Sequence, residues 1–319
     1  MKSLQLILPL PARLEQVLES ARQAAPSLIK LLNRGQPVAH ELGLSGTLCR
    51  AFGIKQQQDW PLASICAAAD GLTVDSRDYW LRLDPVHLEV VMGGLLLRAS
   101  AGLQLSPTEA HALAAAINLH WHSLGLEIQA VSPTRWYLRL PEAPNLRSTP
   151  LDQMEGEYLT PNLPRGADAR HFLQLINEVQ MLMHSHPVNL TRDSAARPVV
   201  NGLWLWAGGN LPAGAKTFDL VASGSFEAQA LARHSGSTCK ASPESLSELN
   251  ASGRVLVALT PAEMGGEGHL ESCLTLLEQH WFEPLLRQLT RARLQRLRLD
   301  LVGAKAVTLT PSQAWRFWR

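Results

Sequence analysis

The chain has 319 residues, with 29 lysines and arginines against 28 aspartates and glutamates. Its formal net charge of +1 provides no overall attraction for nucleic acid or for an acidic membrane, so neither partner is predicted. The four cysteines form no C-x-x-C pair, which favours reduced thiols in a cytoplasmic protein over a disulfide framework. No apolar run approaches the roughly 20 residues that a membrane span requires.

The start of the chain has the pattern of a strand followed by helices. Residues 4–8 predict a buried strand, and helical periodicity follows over 12–23 and 26–34. A third helix is expected over 46–52, and 61–69 is a stretch of small apolar residues. These elements indicate the beginning of an α/β core.

From Asp78 onward the apolar period becomes that of strands. Gly93 and Gly94 predict a hairpin, while Ser106 and Glu109 form a capping-box pattern at the start of a helix. The strands are expected over 79–83, 86–91, 95–99, 126–131 and 135–140. Their order predicts a small antiparallel sheet with a helix on one face.

The apolar run Leu203–Trp206 is the centre of the next segment, after a long connection and a helix over 171–184. Because it is continuously apolar and is followed by Gly208 and Gly209, it predicts a strand buried on both faces of a parallel sheet. The crevice beyond the carboxyl ends of such strands binds ligands, and the glycines would let backbone N–H groups approach an anion. The alternative is that the tryptophans are core residues and the glycines a turn.

Strand and helix patterns alternate again towards the end of the chain. Strands are expected over 218–222, 255–259 and 297–301, with helices over 225–234 and 270–293. The fold class predicted is α/β, with a mostly parallel sheet flanked by helices and an inserted α+β antiparallel domain. We assign residues 1–75 and 185–319 to the core and 76–184 to the insertion.

Few residues carry a recognisable chemical motif. The histidine pairs His120/His122 and His184/His186 have a spacing that points helical side chains to different sides, so no metal site is predicted. Arg82 and Asp84 fall on one face of a strand and form either an ion pair or part of an interdomain cleft. The candidate ligand-binding residues are Arg82, Asp84, His186, Asn189, Arg192, Asn201, Gly208 and Gly209.

Several of these motifs resemble those of the archaeal-type cofactor-independent phosphoglycerate mutases. Three stretches carry the resemblance: Trp80-Leu-Arg-Leu-Asp84 with 99–118, His186-Pro-Val-Asn189, and Asn201-Gly-Leu-Trp-Leu-Trp-Ala-Gly-Gly209. Within this relationship the chain is more similar to the bacterial RpfE-type regulatory proteins. The resemblance extends from about Trp60 onward and implies an alkaline-phosphatase-like core with an inserted domain.

The chain departs from the mutases at the positions that the resemblance assigns to metal binding. Pro9-Leu10-Pro11 stands where those enzymes have an Asp-Gly turn, and Val302-Gly303 where they have an Asp-His pair. Ala262 and Gly266 replace a metal-binding aspartate and histidine, and Gln104 replaces an arginine. A two-metal phosphoryl transfer needs such ligands to hold its ions.

The sequence therefore favours a catalytically silent mutase-like protein with a binding or regulatory role. It would use no cofactor, and its partner would be a small phosphorylated or anionic ligand, or another protein. One alternative is an active metal-dependent mutase or phosphatase that uses atypical ligands such as Glu263, Glu267 and His269. The other is a protein-interaction scaffold that uses Trp315 and Trp318.

Overall fold

The computed structural model describes residues 1–10, 14–39, 42–98, 100–249, 251–264 and 269–315. The backbone contacts divide the chain into two compact units. Unit 1 consists of residues 1–53 and 214–319, and unit 2 of residues 54–213, so unit 2 is inserted into the sequence of unit 1. Within the described residues, no helix is long and apolar enough to cross a membrane.

The strands and helices are numbered here in chain order. The strands are β1 Ser3–Leu8, β2 Gln36–Val38, β3 Tyr79–Val91, β4 Gly94–Arg98, β5 Ile128–Ser132, β6 Arg135–Leu140, β7 Gly202–Asn210, β8 Leu220–Ser223, β9 Cys239–Lys240, β10 Arg254–Ala258, β11 Arg296–Leu301 and β12 Lys305–Leu309. The helices are α1 Leu14–Ala24, α2 Pro26–Arg34, α3 Leu44–Ala51, α4 Leu62–Ala69, α5 Ser100–Leu103, α6 Pro107–Trp121, α7 Ala169–His184, α8 Pro187–Ser194, α9 Phe226–His234, α10 Leu270–Leu277, α11 Glu283–Thr290 and α12 Pro311–Ala314.

Unit 1 contains a seven-stranded sheet in the order β2-β12-β11-β1-β10-β8-β9. The five strands from β11 to β9 are parallel, while β12 and β2 add antiparallel strands at one edge. The apolar side chains of β1 are buried, and Leu4, Leu6 and Leu8 pack with α1, α2, α10 and α11 in one core. A parallel strand covered by helices needs such a predominantly apolar sequence.

The long helix expected over 270–293 is interrupted. A π-helical turn, Glu278–Phe282, separates α10 from α11, and Pro284 lies in the first turn of α11. Proline has no N–H to donate and its ring disturbs the preceding turn, which accounts for the irregular segment. β12, a short strand that follows the turn at Gly303, was not predicted from the sequence.

Unit 2 is organised around β3, which has 13 residues. β3 pairs antiparallel with three strands: with β7, with β6 near its start, and with β4 near its end. β5 completes the sheet next to β6. The separate strands predicted on either side of Pro85 are one strand, in which Pro85 lies opposite Leu203. The hairpin at Gly93 and Gly94 and the capping box of Ser106 and Glu109 are confirmed.

The placement of the central strand differs from the prediction. β7 is buried on both faces, as expected, but it pairs antiparallel with β3 and belongs to unit 2. Residues 54–75 and 185–213, which we assigned to the core, lie in unit 2 as well. The cause is that α4 and α7 both pack on β7, so an antiparallel strand acquires the two-sided burial that is typical of a parallel one. The fold class itself, α/β with a mostly parallel sheet and an antiparallel α+β insertion, is confirmed.

Candidate functional site

Arg82 and Asp84 form a buried ion pair within the sheet of unit 2. Arg82 Nε and Nη2 donate to the two oxygens of Asp84 at 2.9 and 2.8 Å, and Arg82 Nη2 also lies 3.3 Å from the carbonyl oxygen of Thr134. The guanidinium lies 5.3 and 5.2 Å from the ring centres of Tyr137 and Trp206, a distance that allows cation–π attraction. Trp206 Nε1 donates to Asp84 at 2.8 Å. Of the two arrangements that the sequence left open, the structure therefore has the ion pair.

A second ion pair lies next to the first and was missed by the sequence analysis. Arg135 donates to both oxygens of Asp70 at 2.9 and 2.8 Å, and the hydroxyl of Tyr137 donates to the same carboxylate at 2.6 Å. Burial acts to raise the pKa of Asp70, but the hydrogen bonds from Arg135 and Tyr137 outweigh it and hold that pKa below its ordinary value. The ring of Tyr137 thus touches one ion pair with its face and the other with its hydroxyl.

Gly208 and Gly209 lie at the carboxyl end of β7 and are tightly packed. Two residues of β7, Ala207 and Gly208, oppose the single Leu81 of β3, which makes a β-bulge. A Cβ atom on Gly208 would lie 2.8 Å from Leu81 Cδ2, and one on Gly209 would lie 2.8 Å from the Cα atom of Pro61. The glycines are therefore required by the packing of this sheet.

The backbone of Gly208 does approach an acidic group, which is the side-chain carboxyl of Asp59. Asp59 is 6% exposed and accepts hydrogen bonds from the N–H and the hydroxyl of Ser148. Burial raises the pKa of Asp59, and the hydrogen bonds from Ser148 and from the Gly208 backbone only partly offset it. Asp59 was not among the predicted site residues, because a single acid ahead of Trp60 and Pro61 gives no sign that it will be buried.

The remaining predicted residues join α8 to the amino-terminal side of β7. Asn189 donates to the carbonyl oxygens of Met183 and Val200 at 2.8 and 2.7 Å and accepts from the Val200 N–H at 2.9 Å. The His186 ring caps α8 by accepting from the Val188 N–H at 3.2 Å, and burial lowers its pKa. All of these contacts are local and hold the polypeptide in place.

Arg192 and Asn201 have similar structural roles. Arg192 is fully buried and donates to the carbonyl oxygens of Pro198 and Leu103 and to the carboxylate of Glu109. Asn201 accepts from the N–H of Leu88 at 2.6 Å and donates to its carbonyl oxygen at 2.9 Å. The eight predicted residues thus lie on β3, at α8, and on or just before β7, and each one contacts other residues of unit 2.

The carboxyl edge of the parallel sheet in unit 1 is the second place where the fold favours a ligand site. Here β8 ends at Ser223, whose hydroxyl donates to the carbonyl oxygen of Ala258 at 2.6 Å and accepts from the Ser225 N–H at 3.1 Å. Ser225 also caps α9. β1 ends in Leu8, which is fully buried, and Leu10 beyond it is 8% exposed. Among the described residues at this edge, those that follow β8 therefore carry hydroxyl groups, and those that follow β1 are apolar.

Glu263 is a carboxylate at this edge, and it forms hydrogen bonds within its own turn. Its Oε2 accepts from the N–H and the hydroxyl of Thr260 at 2.7 and 3.0 Å. Within the described residues, no group of three or more His, Cys, Asp or Glu side chains could hold a metal ion. Gly266 and Glu267 lie outside the described residues. The donors described here do not fit a two-metal site, which needs several carboxylate and imidazole ligands.

A family comparison identifies part of this chain. Residues 63–189 match the family model of 2,3-bisphosphoglycerate-independent phosphoglycerate mutase. The chain is phosphoglycerate-mutase-like. The matched residues all lie within unit 2. They cover less of the chain than the motif resemblance, which extends from about Trp60 onward.

Individual relatives support the same conclusion. The mutase of Methanosarcina mazei is 29% identical over 155 residues, which cover 47% of this mutase-like chain and 37% of the relative. A probable mutase of Geobacter sulfurreducens is 25% identical over 150 residues, which cover 46% of this chain and 37% of the relative. The matched region is thus well under half the length of each of these relatives. The PH0037 protein of Pyrococcus horikoshii shares the fold, with a TM-score of 0.53 and 14% identity over 96% of this chain and 86% of that one.

Proposed function

We propose that this mutase-like protein is catalytically silent and has a binding or regulatory role, as in the RpfE-type group that its motifs resemble. Its relatives are named for an activity on phosphoglycerate. We propose that the chain retains affinity for a small phosphorylated acid without converting it, or that it acts on another protein.

The observation that carries this proposal is the apolar carboxyl end of β1. β1 lies between β10 and β11, so its end has a parallel strand on each side. Leu8, Pro9 and Leu10 supply no carboxylate or imidazole at this position, where the resemblance expects a metal-binding Asp-Gly turn. An ion that bridges a phosphate needs oxygen or nitrogen ligands from the strand ends. The hydrogen bonds of Glu263 to Thr260 support the same view, because they already use this carboxylate in a turn.

The test uses the purified full chain, with its metal content measured by elemental analysis. It is then assayed for conversion of 3-phosphoglycerate to 2-phosphoglycerate with added manganese, beside the Glu263→Ala variant. We expect no stoichiometric transition metal and no turnover above that of the variant. Turnover that survives repurification and is lost in Glu263→Ala would establish the alternative, an active enzyme with atypical ligands.

The binding part of the proposal is tested separately with 3-phosphoglycerate as the probe. A saturable shift of the thermal unfolding midpoint, absent with an equal concentration of sodium chloride, would support retained affinity for a phosphorylated acid. If 3-phosphoglycerate gives no shift and no heat of binding, the small-ligand role is excluded and a protein partner remains the proposed target.

A further inference from the structure

Unit 2 contains an apolar cavity that is lined by none of the eight predicted site residues. The cavity lies between the sheet, helix α7 and the connection that precedes α7. Its walls include Val86 and Leu203 of β3 and β7, Leu173 and Ile176 of α7, and Leu159 of the connection. The connection is held in place by the Leu159 N–H, which donates to the carbonyl oxygen of Leu95 at 2.8 Å. The cavity is therefore bounded by regular elements on several sides.

The lining of the cavity is apolar and carries no charge. Of the thirteen residues around it, nine are aliphatic and none is titratable. The polar side chains in the lining are the amides of Asn177 and Gln180, which lie one turn apart on α7. Neither amide forms a hydrogen bond with any residue that the structure describes. Pockets of this composition bind an apolar body and orient it through a few polar groups.

The size of the cavity limits what it can hold. Its volume is about 240 Å³. A cavity of roughly 150 Å³ with similar aliphatic walls accepts benzene, so this one has room for about ten heavy atoms. An ionised ligand is excluded, because the lining offers no opposite charge to offset the loss of hydration.

We propose that this cavity binds an uncharged amphiphile of about ten heavy atoms, with an aliphatic body and one amide, carbonyl or hydroxyl end. The body lies against Val86, Ile176 and Leu203, and the polar end forms hydrogen bonds with Asn177 and Gln180. This ligand differs in charge and polarity from a phosphorylated acid, so the site is independent of the function proposed above.

The test measures the binding of octanamide to the full chain by calorimetry and by ligand-observed NMR. Octanoate, which has the same chain length and a negative charge, and acetamide, which lacks the aliphatic body, are the control ligands. We expect saturable binding of octanamide, with octanoate at least tenfold weaker and acetamide not detectable. Equal binding of octanamide and octanoate, or no binding of octanamide at its solubility limit, would overturn the proposal.

Two variants locate the site. Ile176→Trp fills the cavity and should abolish octanamide binding, whereas Met181→Trp places the same ring on the same helix at a side chain that is 78% exposed. The second should leave the affinity within twofold. Asn177→Leu changes an exposed residue at the rim and should weaken octanamide at least threefold. If Ile176→Trp does not fold, the test rests on Asn177→Leu. An affinity of this variant for octanamide equal to that of wild type would contradict the proposal.

Discussion

Arg82 and Asp84 are two positions apart on one face of β3, and their side chains, 4% and 0% exposed, satisfy each other inside unit 2. Loss of one partner leaves an uncompensated buried charge. We expect Arg82→Ala to lower the free energy of unfolding by about 3–5 kcal/mol, because the Asp84 carboxylate would lose its partner without gaining water. Denaturant titration measures the change.

The matched control is Arg77→Ala, since Arg77 and Asp75 form an ion pair with the same spacing at the surface. Solvent screens this pair, and we expect little or no change in stability. Equal losses in the two variants would show that the burial of Arg82 does not determine its contribution. Because Arg82 is engaged by Asp84, inorganic phosphate should stabilise wild type and the Arg82→Ala variant equally.

Gly208→Ala tests whether the glycines of β7 are there for packing. The added methyl group would lie 2.8 Å from Leu81 Cδ2 and 2.9 Å from Cζ of Tyr79, so we expect a loss of about 1–3 kcal/mol in unfolding free energy. Tyr79→Phe removes the hydroxyl that crowds the new methyl group and should recover part of the loss. Gly209→Ala is the control. Its methyl group would meet Pro61, so Tyr79→Phe should not recover the stability that this variant loses.

The burial of β7 could be predicted from its sequence, but its partner could not. The run Leu203–Trp206 specifies a strand enclosed on both sides, and the structure agrees. Apolar periodicity does not report whether the neighbouring strand is parallel, and here that neighbour is β3 rather than a strand of unit 1. For this reason the compact units divide the chain at residues other than the domain boundaries that we assigned.

The candidate site was predicted less well than the fold. The period of two correctly placed Arg82 and Asp84 on one face, but it could not show that the rings of Tyr137 and Trp206 would enclose them. Asp59 and Asp70 were missed because the partners of these acids, Ser148 and Arg135, are far away in the sequence. Long-range pairing of polar side chains has no local signature.

Asp70→Asn should change how stability depends on pH. The pKa of Asp70 is lowered in the folded state, so the ionised form contributes stability above the ordinary value of 3.8 and loses it as the pH falls below that value. We expect wild type to lose stability more steeply than Asp70→Asn on acidification through this range. Tyr137→Phe, which removes one of the hydrogen bonds to the carboxylate, should lie between the two. Parallel stability curves for wild type and Asp70→Asn would contradict the assignment.

Trp315, at the end of the described residues, provides a test of the alternative that the protein is an interaction scaffold. Its indole Nε1 donates to the carbonyl oxygen of Thr290 at 3.0 Å, and the side chain is 54% exposed. We expect Trp315→Phe to cost about 0.5–1.5 kcal/mol, the net contribution of one hydrogen bond, measured by thermal unfolding. A variant with unchanged stability and weakened binding of a partner would instead favour the scaffold. Trp318 lies outside the described residues.

The position of β1 has a consequence for how the chain folds during synthesis. Ser3 pairs with Arg254 on one side and with Arg296 on the other, so both neighbours of β1 are synthesised long after β1 itself. Residues 54–213 are contiguous and have emerged in full long before then. Closing such long loops is slow, and until it happens the apolar side chains of β1 depend on early helices or on chaperones for protection from aggregation.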